Sequence, residues 1–109
     1  MTRYNAEPFA TLLRKRVSDK TTDITNYKVL TLIGIWLDMF EQFYNESGPS
    51  RAITSLEMSE EYYRTTFYGY DQKVKNDDMT PSDWATCNNA GETALALRII
   101  LKSIKELRP

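Results

Sequence analysis

The chain has 109 residues, and its 14 Lys and Arg against 15 Asp and Glu give a formal net charge of −1. Because it contains no histidine and a single cysteine, histidine-based catalysis, histidine-ligated metals, an intramolecular disulfide and a cysteine-rich zinc site are excluded. The composition, 41% hydrophobic and 27% charged, is typical of one folded domain over residues 1–109, and the balanced charge argues against a dedicated nucleic-acid-binding protein.

The N-terminal segment 1–7 lacks the apolar core of a secretory signal. The most apolar stretch, residues 30–37, is much shorter than the roughly 20 residues that cross a bilayer as a helix. We therefore expect an intracellular, cytoplasmic protein that makes no contact with membranes.

The first predicted helix runs from Pro8 to about Asp19, since proline suits a helix start and apolar residues then recur at helical spacing. It is the basic part of the chain: residues 1–20 carry a net charge of +3, from five basic and two acidic residues. Residues 21–80 carry five basic and ten acidic residues, a net −5. This segregation is typical of solvated helix faces, of an acidic region that meets a basic partner, or of a head-to-tail contact between copies of the chain.

The second predicted helix is the most apolar element. Asp23 or Thr25 can cap its start, and Gly48-Pro49 ends it, because glycine permits the turn and proline prevents continuation. Its apolar residues cover more than half of the helix circumference, so it must be enclosed on several sides. Other helices of this chain or a second copy of the chain could provide that enclosure.

The third and fourth segments complete an all-α fold. Residues 50–75 keep a helical rhythm with fraying expected near Gly69, although 62–68 is also rich in strand-forming residues. Thr80 begins the last helix, which continues to about 108 unless Asn88-Asn89-Ala90-Gly91 interrupts it. We predict a small helical bundle of three to five helices, with the apolar second helix at its centre.

The third helix also carries the candidate binding residues. Five aromatic residues lie between positions 62 and 70, with an arginine among them. Tyrosines that keep one wet end are typical of helix contacts and subunit interfaces, whereas aromatic rings beside arginine can also stack on bases and pair with phosphate. Contact surface, core and nucleotide pocket all remain open at this stage. The candidate residues from the aromatic stretch are Tyr62, Tyr63, Arg64 and Tyr68.

Carboxylates on the same helix raise the alternative of a metal-dependent enzyme. Glu57 and Glu60 form an ExxE pair that resembles half of the metal site of the all-α nucleoside-triphosphate pyrophosphatases. The ExxD pair of that family is missing, because Leu95 stands three residues after Glu92. We therefore predict no catalytic residues, no metal ligands and no cofactor.

Residues 49–62, PSRAITSLEMSEEY, resemble the hairpin signature of phage proteins that sequester cyclic oligonucleotides and so blunt CBASS immunity. That signature is a Pro/Ser-Arg turn followed by Ala-Leu-Thr-x-Leu-Glu-x-Ala-x-x-Trp. The chain departs from it where Tyr62 replaces the tryptophan, where Arg51 stands closer to the threonine, and in its additional C-terminal helix. Four residues of the chain are identical to the signature and three are conservative replacements: Ala52, Ile53, Thr54, Leu56, Glu57, Ser59 and Tyr62.

The resemblance implies an oligomer whose subunit junctions hold a cyclic oligonucleotide without hydrolysing it. Arg51, Thr54 and Tyr62 would then contact phosphates and bases.

The residues themselves favour a different function, that of a non-enzymatic helical protein that binds a protein partner and self-associates. A small chain with no enzyme signature and no targeting segment is also typical of phage or mobile-element accessory proteins, including anti-defence inhibitors. We expect a protein partner or self-association, a cyclic oligonucleotide as the alternative ligand, and no nucleic acid.

Overall fold

The computed structural model describes residues 4–108, which form five helices and no strand. In chain order these are α1 (Glu7–Lys20), α2 (Tyr27–Ser47), α3 (Pro49–Tyr68), α4 (Asp71–Lys75) and α5 (Pro81–Leu107). The all-α bundle predicted from the sequence is therefore confirmed. Residues 1–3 of the segment expected to lack a secretory signal, and Pro109, lie outside the described range.

Helix starts follow the capping chemistry of the sequence with one correction. Thr80, predicted to begin the last helix, forms a capping box with Asp83 at α5, with reciprocal hydrogen bonds of 3.1 Å between each side chain and the other residue's N–H. The hydrogen bond from the Thr80 N–H, followed by that from Lys73, lowers the pKa of the Asp83 carboxyl. The caps predicted for α2 were wrong: Asn26, immediately before the helix, accepts from the N–H groups of Lys28 and Val29.

Glycines mark two of the helix boundaries. Gly48 has φ +90° and joins α2 to α3, and Pro49 occupies the first turn of α3. Gly69 follows the last residue of α3, and the chain resumes as the single turn of α4, so the predicted fraying at this glycine is confirmed. In contrast, α5 continues without interruption through residues 88–91.

The helix buried over the widest arc is α5, which packs against α1, α2 and α3. Its buried residues spread over more than half of the helix circumference, and many of them are small. Small side chains let neighbouring helices approach closely, so three helices can pack around one. The buried residues of α5 are Cys87, Ala90, Thr93, Ala94, Ala96, Leu97, Ile100, Ser103 and Ile104.

The other helices of the chain cover only one side of α2. Val29, Ile33, Leu37 and Phe40 are buried, whereas Ile35 is 48% exposed on the opposite side. Enclosure of α2 by a second copy of the chain therefore stays a prediction. None of the helices formed by residues 4–108 combines the length and the apolar character that crossing a membrane requires.

The basic helix α1 pairs with acidic residues inside the same chain. Arg14 contacts Asp38 at 2.7 Å and Glu41 at 2.9 Å on α2, and Lys20 contacts Glu106 of α5 at 2.8 Å. The pKa of the Glu106 carboxyl is lowered mainly by this hydrogen bond from Lys20. Part of the charge segregation seen in the sequence is thus neutralised within the fold.

We expect Gly34→Ala to raise the free energy of unfolding by about 0.5–1 kcal/mol, because a Cβ at this exposed helical position meets no atom within 4 Å and glycine disfavours a helix interior. Gly48→Ala is the matched control and should lower the free energy of unfolding, because φ at this position is +90° and the new Cβ would lie 2.9 Å from the Tyr4 ring. Urea denaturation of the two variants checks this, and stabilisation by Gly48→Ala would contradict the described turn.

Candidate binding surfaces

Three of the sequence-predicted residues lie on one exposed side of α3. Arg51, Thr54 and Tyr62 are all exposed, and Met58 lies between them, so the spacing of three or four residues places all four along the same side of the helix. Tyr62 and Met58 are 65% and 66% exposed.

Ile35 of α2 is exposed and stands next in the chain to a residue that contacts α3. The rings of Trp36 on α2 and Tyr63 on α3 meet edge to face, with 6.3 Å between their centroids. Ile35 and Tyr62 precede these two rings in the chain, and both are exposed. We call the exposed residues Ile35, Arg51, Thr54, Met58 and Tyr62 together the outer face.

Tyr63 itself is half-buried and serves packing. Besides its contact with Trp36, its ring lies edge to face with Tyr62 at a centroid distance of 5.1 Å. Aromatic pairs of this kind contribute about 0.5–1.5 kcal/mol beyond the burial of their area. The contact with Tyr63 thus helps to fix the position of the exposed Tyr62 ring.

The last two candidates, Arg64 and Tyr68, lie on a different side of α3. They line a pocket of about 270 Å³ between the C-terminal half of α3, the start of α2 and the middle of α5. Phe67 lines the same pocket, and its ring lies edge to face with that of Tyr68 at 5.4 Å. We call this cavity the α3–α5 pocket. It brings together an aromatic pair and two arginines, since Arg98 of α5 lines it as well.

The nearly buried carboxylate of Glu60 pairs with both arginines. Glu60 accepts two hydrogen bonds from Nε of Arg64, at 3.1 and 3.3 Å, and its Oε2 lies 3.8 Å from Nε of Arg98. Glu60 and Arg64 thus form an i,i+4 ion pair on α3. One carboxylate faces two guanidinium groups, so the cluster keeps an excess of positive charge.

A larger groove of about 780 Å³ runs along α3 and α5 on the other side of Glu60. Its apolar floor includes Ile53, Leu101 and Ile104. Glutamates of α3 form one wall and basic residues of α5 form the other, so the groove carries no single charge that would select a ligand. The wall residues are Glu57, Glu61, Lys102, Lys105 and Arg108.

The carboxylates that resemble half of a metal site do not converge. Glu57 is exposed, whereas Glu60 is occupied by the two arginines. Within residues 4–108, no group of three or more Asp, Glu and Cys side chains is arranged to hold a metal ion.

Sequence reasoning missed Arg98, Phe67 and Gly91 as pocket residues. A Cβ at Gly91 would lie 2.7 Å from Cδ1 of Phe67, so the glycine makes the room that this ring occupies. The sequence signal for the pocket was Gly91, because a glycine inside a helix lowers the stability of the helix and so indicates a packing reason. In the sequence this glycine was instead interpreted as a possible interruption of the last helix.

Comparison of the chain with protein-family models, with curated proteins and with solved structures finds no match.

Cys87 is expected to react slowly with a thiol reagent such as Ellman's reagent in the folded protein. The residue is buried, with Sγ 4.0 Å from the Phe67 carbonyl oxygen, and burial together with the Asp71 charge raises the pKa of the thiol. Labelling at pH 8 with and without denaturant measures this, and a native rate within about tenfold of the unfolded rate would contradict the buried position.

Proposed function

We propose that this chain is a non-enzymatic binding protein that self-associates and engages a protein partner through the outer face. The observation that carries the proposal is the exposure of Met58 and Tyr62 on one side of α3 and of Ile35 on α2, while the interior of the bundle is filled by other residues. Exposed apolar clusters with polar neighbours are typical of interaction sites, and Tyr, Met and Arg are enriched in them.

The arrangement of the outer face supports a symmetric contact between two copies. Two-fold symmetry brings the same patch of each copy together, so a residue near the axis meets its own equivalent. If two α3 helices pair antiparallel about Met58, Tyr62 of one copy lies opposite Thr54 of the other. From Arg51 to Tyr62 the face is about 16 Å long at the 1.5 Å rise of a helix. The exposed side of α2 adds width to this contact.

A protein of this kind acts by covering a surface of its partner. We propose that it does so in the cytoplasm, as an accessory protein or inhibitor of the type that phages and mobile elements encode. The proposal requires no cofactor, since recognition rests on apolar area and on the hydrogen-bonding groups at its rim.

A cyclic-oligonucleotide sponge is the second candidate function. It is favoured by the fact that Arg51, Thr54 and Tyr62, the residues implied by the resemblance, lie on one exposed side of α3. In a two-fold junction each copy contributes this set, which would place guanidinium groups and tyrosine rings on both sides of a bound ligand.

We expect Met58→Glu to weaken self-association by at least about tenfold in Kd, or about 1.4 kcal/mol, because it places a charge in the centre of an apolar contact. Leu12→Glu is the matched control, since Leu12 is 57% exposed on α1, away from the outer face. Size-exclusion chromatography with light scattering, across a concentration series, gives the oligomeric state of each protein.

The wild type and Leu12→Glu should both form a dimer or a larger assembly at concentrations where Met58→Glu is a monomer. A wild-type protein that stays a monomer of 12.7 kDa throughout the series contradicts self-association. Loss of assembly in Leu12→Glu but not in Met58→Glu would contradict the choice of surface.

The sponge is tested by native mass spectrometry of the wild type with added cyclic GMP–AMP and cyclic di-GMP. We expect one ligand mass for each subunit junction, lost in Tyr62→Ala because the stacking ring is removed, a contribution of about 1–3 kcal/mol per base. An assembly that carries no added mass with either ligand excludes these two compounds and leaves protein binding as the function.

A further inference from the structure

The α3–α5 pocket has the parts of a small-molecule site. Its lining combines two aromatic residues, Phe67 and Tyr68, with two arginines, Arg64 and Arg98. Gly91 contributes no side chain to the wall that α5 provides. An apolar, aromatic lining with a few charged groups is the usual composition of a ligand site.

Each of the two guanidinium groups donates a hydrogen bond to the described part of the chain through its Nε only. Nε of Arg64 donates to Glu60, and Nε of Arg98 donates to the Ala94 carbonyl oxygen at 3.4 Å. Within residues 4–108 the terminal nitrogens of both arginines have no hydrogen-bond acceptor. These nitrogens are the donors that pair with carboxylate and phosphate.

The charge balance of the pocket favours an anion. Glu60, which lies outside the lining, offsets one of the two arginines, and Glu92, the acidic residue of the lining, accepts from Asn26 at 2.9 Å and contacts Lys28 at 3.5 Å. Two acidic and three basic groups leave one positive charge uncompensated. That charge lies beside the aromatic pair.

We propose that the α3–α5 pocket binds a small planar anion, a ring that carries one phosphate or carboxylate group. The ring lies against Phe67 and Tyr68, and the anionic group pairs with the terminal nitrogens of Arg64 and Arg98. A volume of about 270 Å³ is at the small end for ligand sites, which span roughly 300–1,000 Å³, so it suits a single ring system.

This site is separate from the outer face. Met58 and Tyr62 lie on the exposed side of α3 beside α2, whereas Arg64, Phe67 and Tyr68 lie on the side that α5 faces. The proposal therefore goes beyond the proposed function, and either can fail without the other.

The experiment measures binding to the full chain by isothermal titration calorimetry. Two probes represent the two sources of the ligand: adenosine 5′-monophosphate for a nucleotide and indole-3-acetate for an aromatic carboxylate. Adenosine lacks the anionic group and inorganic phosphate lacks the ring. We expect at least one of the two probes to bind with a Kd below about 1 mM, and both partial probes to bind at least about tenfold more weakly.

Arg98→Gln should lower the affinity by about 10- to 100-fold, because it removes a charge-assisted hydrogen bond to the ligand. The substitution leaves the Glu60–Arg64 pair intact. Gly91→Ala should abolish binding, because the new Cβ displaces the Phe67 ring. Gly34→Ala makes the same chemical change where it meets no atom, and Leu12→Glu alters only an exposed position of α1, so both should bind as the wild type does.

The proposal is overturned if neither probe binds below about 1 mM, or if Arg98→Gln and Gly91→Ala bind as tightly as the wild type. It is also overturned if inorganic phosphate alone binds as tightly as either probe, since the rings would then contribute nothing. Circular dichroism of each variant shows whether the helical fold is retained, so that a lost site and a lost fold are distinguished.

Discussion

The close packing of three helices around α5 is the constraint on which the rest of the structure depends. α5 accepts α1, α2 and α3 because small residues such as Ala90, Ala94 and Ala96 are interleaved with Leu97 and Ile100 over most of its circumference. Larger residues at the alanine positions would separate the helices and open the core, at a cost of about 1–3 kcal/mol for each overpacked site. The positions of α2 and α3 therefore depend on α5 as well as on their own contact.

This packing divides α3 into sides with different roles. Ala52 and Leu56 are buried against the core, and Glu60 continues the same side toward Arg98 of α5. The opposite side is left in solvent with Met58 and Tyr62. A nearly buried glutamate is acceptable here because both oxygens receive hydrogen bonds from an arginine. The same arrangement leaves the outer ends of the arginines available at the pocket.

The sequence predicted the fold class and most helix boundaries because these depend on local chemistry. Gly48-Pro49, the box of Thr80 with Asp83, and Gly69 all act within a few residues, and the structure contains each of them. The dominance of α5 was missed because alanine, serine and threonine add little to an apolar count, although they decide how closely helices approach. The α3–α5 pocket was missed because Arg98 and Phe67 are 31 positions apart and only the tertiary fold brings them together.

Electrostatics is consistent with the proposal that recognition concentrates on α3. The basic residues of α1 are partly satisfied by Asp38, Glu41 and Glu106. Exposed ion pairs of this type add at most about 1 kcal/mol each, yet they remove the charge that would steer an external partner to α1. The two proposed sites, the outer face and the uncompensated arginines of the pocket, both draw most of their residues from α3.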